Sequence, residues 1–128
     1  MIVDTSAVVA IAFREPAYEA ILEKLAACDE AGIATPTLVE TGIVLSARLR
    51  RDARPQIYRL LQEAAITEIP FGADHWREAV GAYLRYGKGR HPAALNLGDC
   101  MSYAAAKLAA APLLCVGDDF SRTDLRIA

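Results

Sequence analysis

Apolar positions along the chain follow two different periods. Short aliphatic or β-branched runs at Ile2-Val3, Ile33-Ala34, Thr67-Ile69 and Leu113-Val116 predict four strands, and Leu125-Ile127 is a candidate fifth. The segments between them repeat at helical spacing instead: Ile21, Leu22 and Leu25; Ile57, Leu60, Leu61 and Ala64; Trp76, Ala79, Val80, Tyr83 and Leu84. Strands that alternate with helices build a mostly parallel sheet, because a parallel return needs a crossover long enough to hold a helix, and such crossovers cover both faces. The predicted fold class is α/β, a three-layer α/β/α sandwich with a mostly parallel central sheet.

Helix ends are marked by individual residues. Pro16 fits a first-turn position, where its missing N–H costs no helical bond. Thr37 is suited to cap a helix running to about Arg50, Pro55 to open another, and Asn96 to cap one running to about Ala110, with Pro112 forcing a stop before the last main strand. Loops leaving the carboxyl ends of the strands converge in such a sheet, so a ligand site is expected at that edge.

Composition narrows the picture without choosing a function. At 128 residues the chain is expected to form one domain, residues 1–128, around one continuous core. The formal charge of −2 excludes an all-over basic coat but leaves room for a local basic patch. The start lacks the basic lead-in of a secretory signal, and Asp4 and Arg14 bracket an apolar stretch much shorter than the roughly 20 residues that span a bilayer, so the expectation is a soluble, cytoplasmic protein. Cys28, Cys100 and Cys115 are odd in number and lie in apolar surroundings, which suits reduced core thiols. No G-x-S-x-G, Walker A or G-x-G-x-x-G motif is present, which sets aside hydrolase triads and nucleotide P-loops. His75 and His91 sit in no metal or nucleophile motif and are expected to be surface or packing residues.

Carboxylates, by contrast, recur at the strand ends. Asp4 ends the first strand, Glu40 follows the second, Asp99 opens the helix before the fourth, and Asp118-Asp119 follow the fourth. Each has a structural explanation: Asp4 as a cap for a helix from Thr5, Thr37-x-x-Glu40 and Asn96-x-x-Asp99 as capping boxes, and Asp118-Asp119 as turn residues. Asp74 also follows a strand and reads as a helix-start residue. What distinguishes Asp4 and Asp99 is their setting, since Thr-Ser-Ala-Val-Val-Ala-Ile-Ala and Cys-Met-Ser-Tyr-Ala-Ala-Ala follow them with no compensating charge. Carboxylates gathered in such surroundings either take up protons or share a cation, and oxygen-only ligands suit Mg²⁺ or Mn²⁺. A hard cation there fits phosphodiester hydrolysis.

Taken together, Ile-Val-Asp4-Thr-Ser-Ala, Thr-Leu-Val-Glu40, Leu-Gly-Asp99-Cys and Val-Gly-Asp-Asp119-Phe-Ser-Arg-Thr-Asp-Leu resemble a PIN-domain protein of the VapC toxin type, nearly end to end. The resemblance implies a Mg²⁺- or Mn²⁺-dependent endoribonuclease toxin, held inactive by a cognate VapB-type antitoxin and often a homodimer. By position, Asp4 and Asp99 are implied as metal ligands and Glu40 as a ligand or a base acting through water, with Thr5 or Ser6 supporting Asp4. Asp119, the acid before Phe120, is preferred to Asp118 as the fourth, and Thr123 and Asp124 are expected to brace the loop.

An RNA substrate also needs cations. Arg48, Arg50, Arg51 and Arg54 form one dense stretch and Arg85, Lys88 and Arg90 another, with Arg14 and Arg122 nearer the acids in sequence. The apolar helices at Tyr18-Leu25 and Leu38-Leu49 carry more apolar positions than one buried stripe needs, so an exposed remainder is expected to receive an antitoxin segment or a second subunit. Gly42 there either admits a close helix or is neutral. Two other classes stay open on the residues alone. One is a phosphatase with Asp4 as nucleophile, disfavoured because the second acid usual two residues on is Ser6 here. The other is a non-catalytic α/β protein-binding module whose acids are only caps.

Overall fold

In three of the four strands, consecutive side chains enter different cores. Ile2 and Val3, Ile33 and Ala34, and Leu113 and Leu114 each split between two buried clusters, the signature of a sheet covered on both faces. The computed structural model describes residues 1–128, and its sheet is wholly parallel. The strands are β1 (Ile2–Val3), β2 (Ala31–Ala34), β3 (Ile66–Ile69) and β4 (Leu113–Leu114), in the order β3-β2-β1-β4. One face is packed by α1 (Thr5–Phe13), α2 (Tyr18–Ala27), α3 (Thr35–Leu49) and α4 (Arg54–Glu63), through Val8, Ile21, Leu25, Leu45 and Ile57. The other is packed by α5 (Ala73–Tyr86) and α6 (Leu97–Leu108), through Ala82, Tyr103 and Ala105. The expected α/β/α sandwich is the observed one. No helix is long and apolar enough to cross a membrane.

Several boundaries differ from the expectation, each for a physical reason. Pro16 is not in a first turn. It lies in the connection closed by the Tyr18 N–H on the Glu15 carbonyl at 2.9 Å, where proline's fixed φ suits the second position of a turn. Helix α3 begins two residues before Thr37, because Pro36 is tolerated within the first turn. Thr37 is thus inside the helix and forms no capping box with Glu40. Strand β4 ends at Leu114 because the Val116 N–H is diverted to Ser6 Oγ at 3.0 Å, and Gly117 then turns the chain at φ 99°, a conformation that favours glycine. Leu125-Ile127 forms a single parallel bridge, Ile127 to Leu113, rather than a strand.

Other boundary readings agree. Pro55 lies in the first turn of α4, Asp74 in that of α5, and Asn96 caps α6, which ends at Leu108. Gly42 is neutral, since a Cβ there would meet only Ile57 at an ordinary 3.8 Å.

Strand β1 lies between β2 and β4, so the chain's order reverses beside it. Crevices at such switch points, outside the carboxyl ends of the strands, are where open α/β sheets bind ligands. Asp4 is the first residue beyond that end.

Candidate active site

Asp4 is only 5% exposed, and both of its carboxylate oxygens are held. Oδ2 accepts from the Ser6 backbone N–H at 2.9 Å and the Ser6 hydroxyl at 2.6 Å, so Asp4 does cap α1. Oδ1 accepts from the Ser102 hydroxyl at 2.6 Å. A cap needs only one oxygen; the second bond, from α6, is a tertiary feature that capping does not require.

Asp99 combines two roles in the same way. It completes a capping box with Asn96: the Asn96 N–H donates to Asp99 Oδ2 at 2.9 Å, and the Asp99 N–H to Asn96 Oδ1 at 2.9 Å. Yet its carboxyl is pushed up to about 6, first by burial and then by the negative charges of Asp4, Asp119 and Glu40, against the opposing pull of the Asn96 N–H. Acids from three other stretches of chain therefore lie close enough to act on Asp99. Asp118 has no such effect on Asp99; its carbonyl accepts from Ser121 Oγ at 2.6 Å and closes the following turn.

Glu40 reaches the group from the second turn of α3. Its Oε2 accepts from Thr5 Oγ1 at 3.0 Å, and its carboxylate lies so close over Gly98, in the first turn of α6, that a Cβ there would collide with it. Thr5 thus supports Glu40 directly, while Ser6 supports Asp4. Gly98 and Ser102 are two contributors the sequence reading did not single out. Both flank Asp99 on α6, Ser102 at the i+3 position that shares a helix face with it, and that spacing was the available signal.

The loop after β4 is braced as expected of Thr123 and Asp124. Thr123 Oγ1 donates to the Phe120 carbonyl at 2.7 Å, and Asp124 accepts from the Tyr103 hydroxyl at 2.6 Å and from Lys107 at 2.5 Å. Those donors hold the Asp124 carboxyl down at about 2. Cys100 and Cys115 are free thiols pushed up to about 11 by burial, and the charge of Asp4 adds to the effect on Cys115. Cys28 is free as well.

The basic stretches lie differently from one another. Arg48 pairs with Glu15 at 3.6 Å and stacks on Phe13, and Arg54 pairs with Asp52 at 2.9 Å. Arg50 ends α3 ten residues beyond Glu40, about 15 Å along the helix axis, which separates that cluster from the acids. Arg14 likewise ends α1 at the far end from Asp4. Arg85 is engaged by Glu78 at 2.7 Å, and Arg90 lies over the Tyr83 ring. Arg122 follows Asp119 closely and reaches the Pro92 carbonyl at 3.4 Å, joining the β4 loop to the Lys88–Pro92 loop. His75 and His91 accept backbone N–H groups from Gly72 at 3.2 Å and Ala93 at 3.1 Å, packing roles as expected.

No three of these side chains approach closely enough to enclose one ion among themselves. The donors are carboxylate oxygens, the chemistry that hard cations such as Mg²⁺ or Mn²⁺ accept, and Mg²⁺ needs only one or two carboxylates.

A parallel sheet in this order, with acids at its switch point, defines a class that the comparisons identify. The family model described as PIN domain matches residues 1–125. Ribonuclease VapC36 of Mycobacterium tuberculosis is 48% identical over 126 residues, covering 98% of this chain and 91% of that protein. Ribonuclease VapC42 of the same species is 42% identical over 129 residues, covering 100% and 98%. Among solved structures, Mycobacterium tuberculosis VapC20, a sarcin-ricin loop cleaving toxin, superimposes with a TM-score of 0.74 at 18% identity over 99% of this chain and 97% of that one. A toxin–antitoxin complex from Klebsiella pneumoniae gives 0.72 at 19% over 99% and 95%. The chain belongs to the VapC family of PIN-domain proteins.

Proposed function

We propose that this chain is an endoribonuclease toxin that hydrolyses RNA phosphodiester bonds in the cytoplasm with Mg²⁺ or Mn²⁺, acts as a single PIN-like domain, and is neutralised by a cognate VapB-type antitoxin. The observation that carries the reading is the convergence of Asp4, Glu40, Asp99 and Asp119 on one sheet edge, where the charges of the other three oppose ionisation of Asp99. A cation relieves that repulsion. Relatives named as ribonucleases, one 48% identical, support the same chemistry.

Asp4 and Asp99 are the proposed metal ligands, Asp119 the fourth acid, and Glu40 a further ligand or a base acting through water. When bound, the cation supplies Lewis-acid polarisation of the scissile phosphate. The chain supplies the rest: Ser6 and Ser102 fix the Asp4 carboxylate, Thr5 fixes that of Glu40, and Arg122 beside the site offers a phosphate contact.

The partner surface rests on a different observation. Val39 and Ile43 on α3 are 62% and 65% exposed, and with Tyr58 of α4 they line a groove of about 500 Å³. Such a face suits an antitoxin helix or, in a homodimer, a second copy. A non-catalytic binding module would use this groove equally well but leaves the like charges around Asp99 without a purpose.

The test is cleavage of RNA by the purified protein with Mg²⁺ or Mn²⁺. Wild type is expected to cut, and Asp4→Asn and Asp99→Asn to leave RNA intact while keeping native circular dichroism. Full activity in both variants overturns the proposal.

A further inference from the structure

Behind the acids lies a buried hydroxyl network that capping does not explain. Ser102, Thr37 and Thr41 are 0%, 2% and 0% exposed. The Ser102 hydroxyl donates to Asp4 Oδ1, and Thr37 Oγ1 lies 3.3 Å from Ser102 Oγ. A hydroxyl has one proton, and that of Ser102 is committed to Asp4, so Thr37 is the donor in the second bond. The Thr41 hydroxyl donates its proton to the Thr37 carbonyl at 2.7 Å and lies 3.2 Å from Thr5 Oγ1, whose own proton goes to Glu40. No buried side-chain polar atom is left without a partner, as a buried polar network requires.

Its placement follows the acids. Ser102 lies three residues after Asp99 on α6, and Thr37 three residues before Glu40 on α3, so each hydroxyl shares a helix face with an acid. Ser6 ties one oxygen of Asp4 to its own helix, α1. The bond from Ser102, 98 residues distant in sequence, ties the second oxygen to α6 and so sets the carboxylate relative to the helix that carries Asp99.

We infer that Ser102, backed by Thr37, is a positioning residue that orients the Asp4 carboxylate toward the cation shared with Asp99. This rests on the metal reading above. Partners that orient ligands in this way typically change metal affinity about 10–100-fold when removed.

The experiment is calorimetric titration of Mn²⁺ into RNA-free protein, with metal-free melting curves recorded alongside. Ser102→Ala is expected to bind Mn²⁺ at least about tenfold more weakly than wild type. Thr37→Val, which removes a hydroxyl at nearly constant volume, is expected to show a smaller loss. The double variant is expected to bind no more weakly than Ser102→Ala alone, because Thr37 acts through Ser102. Wild-type affinity in Ser102→Ala overturns the inference, and additive losses in the double variant overturn the part given to Thr37. Asp4→Asn separates the two levels. If it binds Mn²⁺ normally, the metal reading itself fails; if it loses Mn²⁺ while Ser102→Ala does not, only the positioning role fails. Should Ser102→Ala not fold, Thr37→Val decides alone, and unchanged affinity there counts against the inference.

Discussion

Helix α6 meets a carboxylate near each of its ends, and the two are treated in opposite ways. At its N-terminal end Asp99 is surrounded by burial and like charge and is pushed up to about 6. Toward its C-terminal end Asp124 receives the Tyr103 hydroxyl and the Lys107 ammonium and is held at about 2. Asp124 is satisfied by the protein alone, whereas Asp99 is left with a charge that the protein does not balance. Carboxylates perturbed in this way cluster at functional sites, and the contrast sets the candidate site apart from the scaffold.

The largest effect expected from breaking this contrast is at the unbalanced end. Asp99→Asn is predicted to abolish RNA cleavage, because the amide oxygen still accepts the Asn96 N–H and keeps the cap while the ligand charge is gone. Without metal at pH 7 the same variant is predicted to melt above wild type, since it removes repulsion. Adding Mn²⁺ is predicted to raise only the wild-type melting temperature, as a ligand specific to the native state must.

Gly98→Ala comes next. Its methyl would displace the Glu40 carboxylate, and a misplacement of about 1 Å near the chemistry costs roughly 100-fold in rate. Alanine nevertheless favours the helix by up to about 1 kcal/mol, so cleavage is predicted to fall without loss of helical content. Retained activity with an unmoved Glu40 in a crystal structure of the variant would contradict the close approach.

At the balanced end the outcome is reversed. Asp124→Ala strands the Tyr103 hydroxyl and is predicted to lower stability by about 1–2 kcal/mol in denaturant melts, while Mn²⁺ affinity stays at the wild-type value. A loss of affinity there would dissolve the distinction between the two ends.

The smallest effect is in the pH dependence, and its signs oppose. Asp99 has a folded value above the roughly 3.9 of an unfolded aspartate, so its favourable contribution is complete below about pH 4 and is lost as pH rises through 6. Asp124 has a lowered value, so its contribution is complete above about pH 4 and is lost as pH falls through 2. In metal-free melts the advantage of Asp99→Asn over wild type is therefore predicted to grow from pH 4 to 6, and the deficit of Asp124→Ala to shrink from pH 4 to 2.

By itself the sequence determined the order of strands and helices, the two covered faces of the sheet, and the delivery of acids to the strand ends. These follow from local periodicity and from single residues such as Asn96 and Pro55 whose backbone preferences act over a few positions. It also carried the ordered motifs that resemble the family the comparisons show. Tertiary structure decided everything that depends on distance through space. Thr37, read as a cap, became a buried hydroxyl behind Ser102 because Pro36 let α3 begin earlier. Asp119 rather than Asp118 came within reach of Asp99, and the Arg48–Arg54 stretch was carried to the far end of α3. The Ser102 bond to Asp4 joins residues 98 apart, and no local spacing encodes such a meeting. Hydrogen bonds and Coulomb forces act between neighbours in space, and neighbours of that kind exist only once the sheet has brought β1, α3 and α6 together.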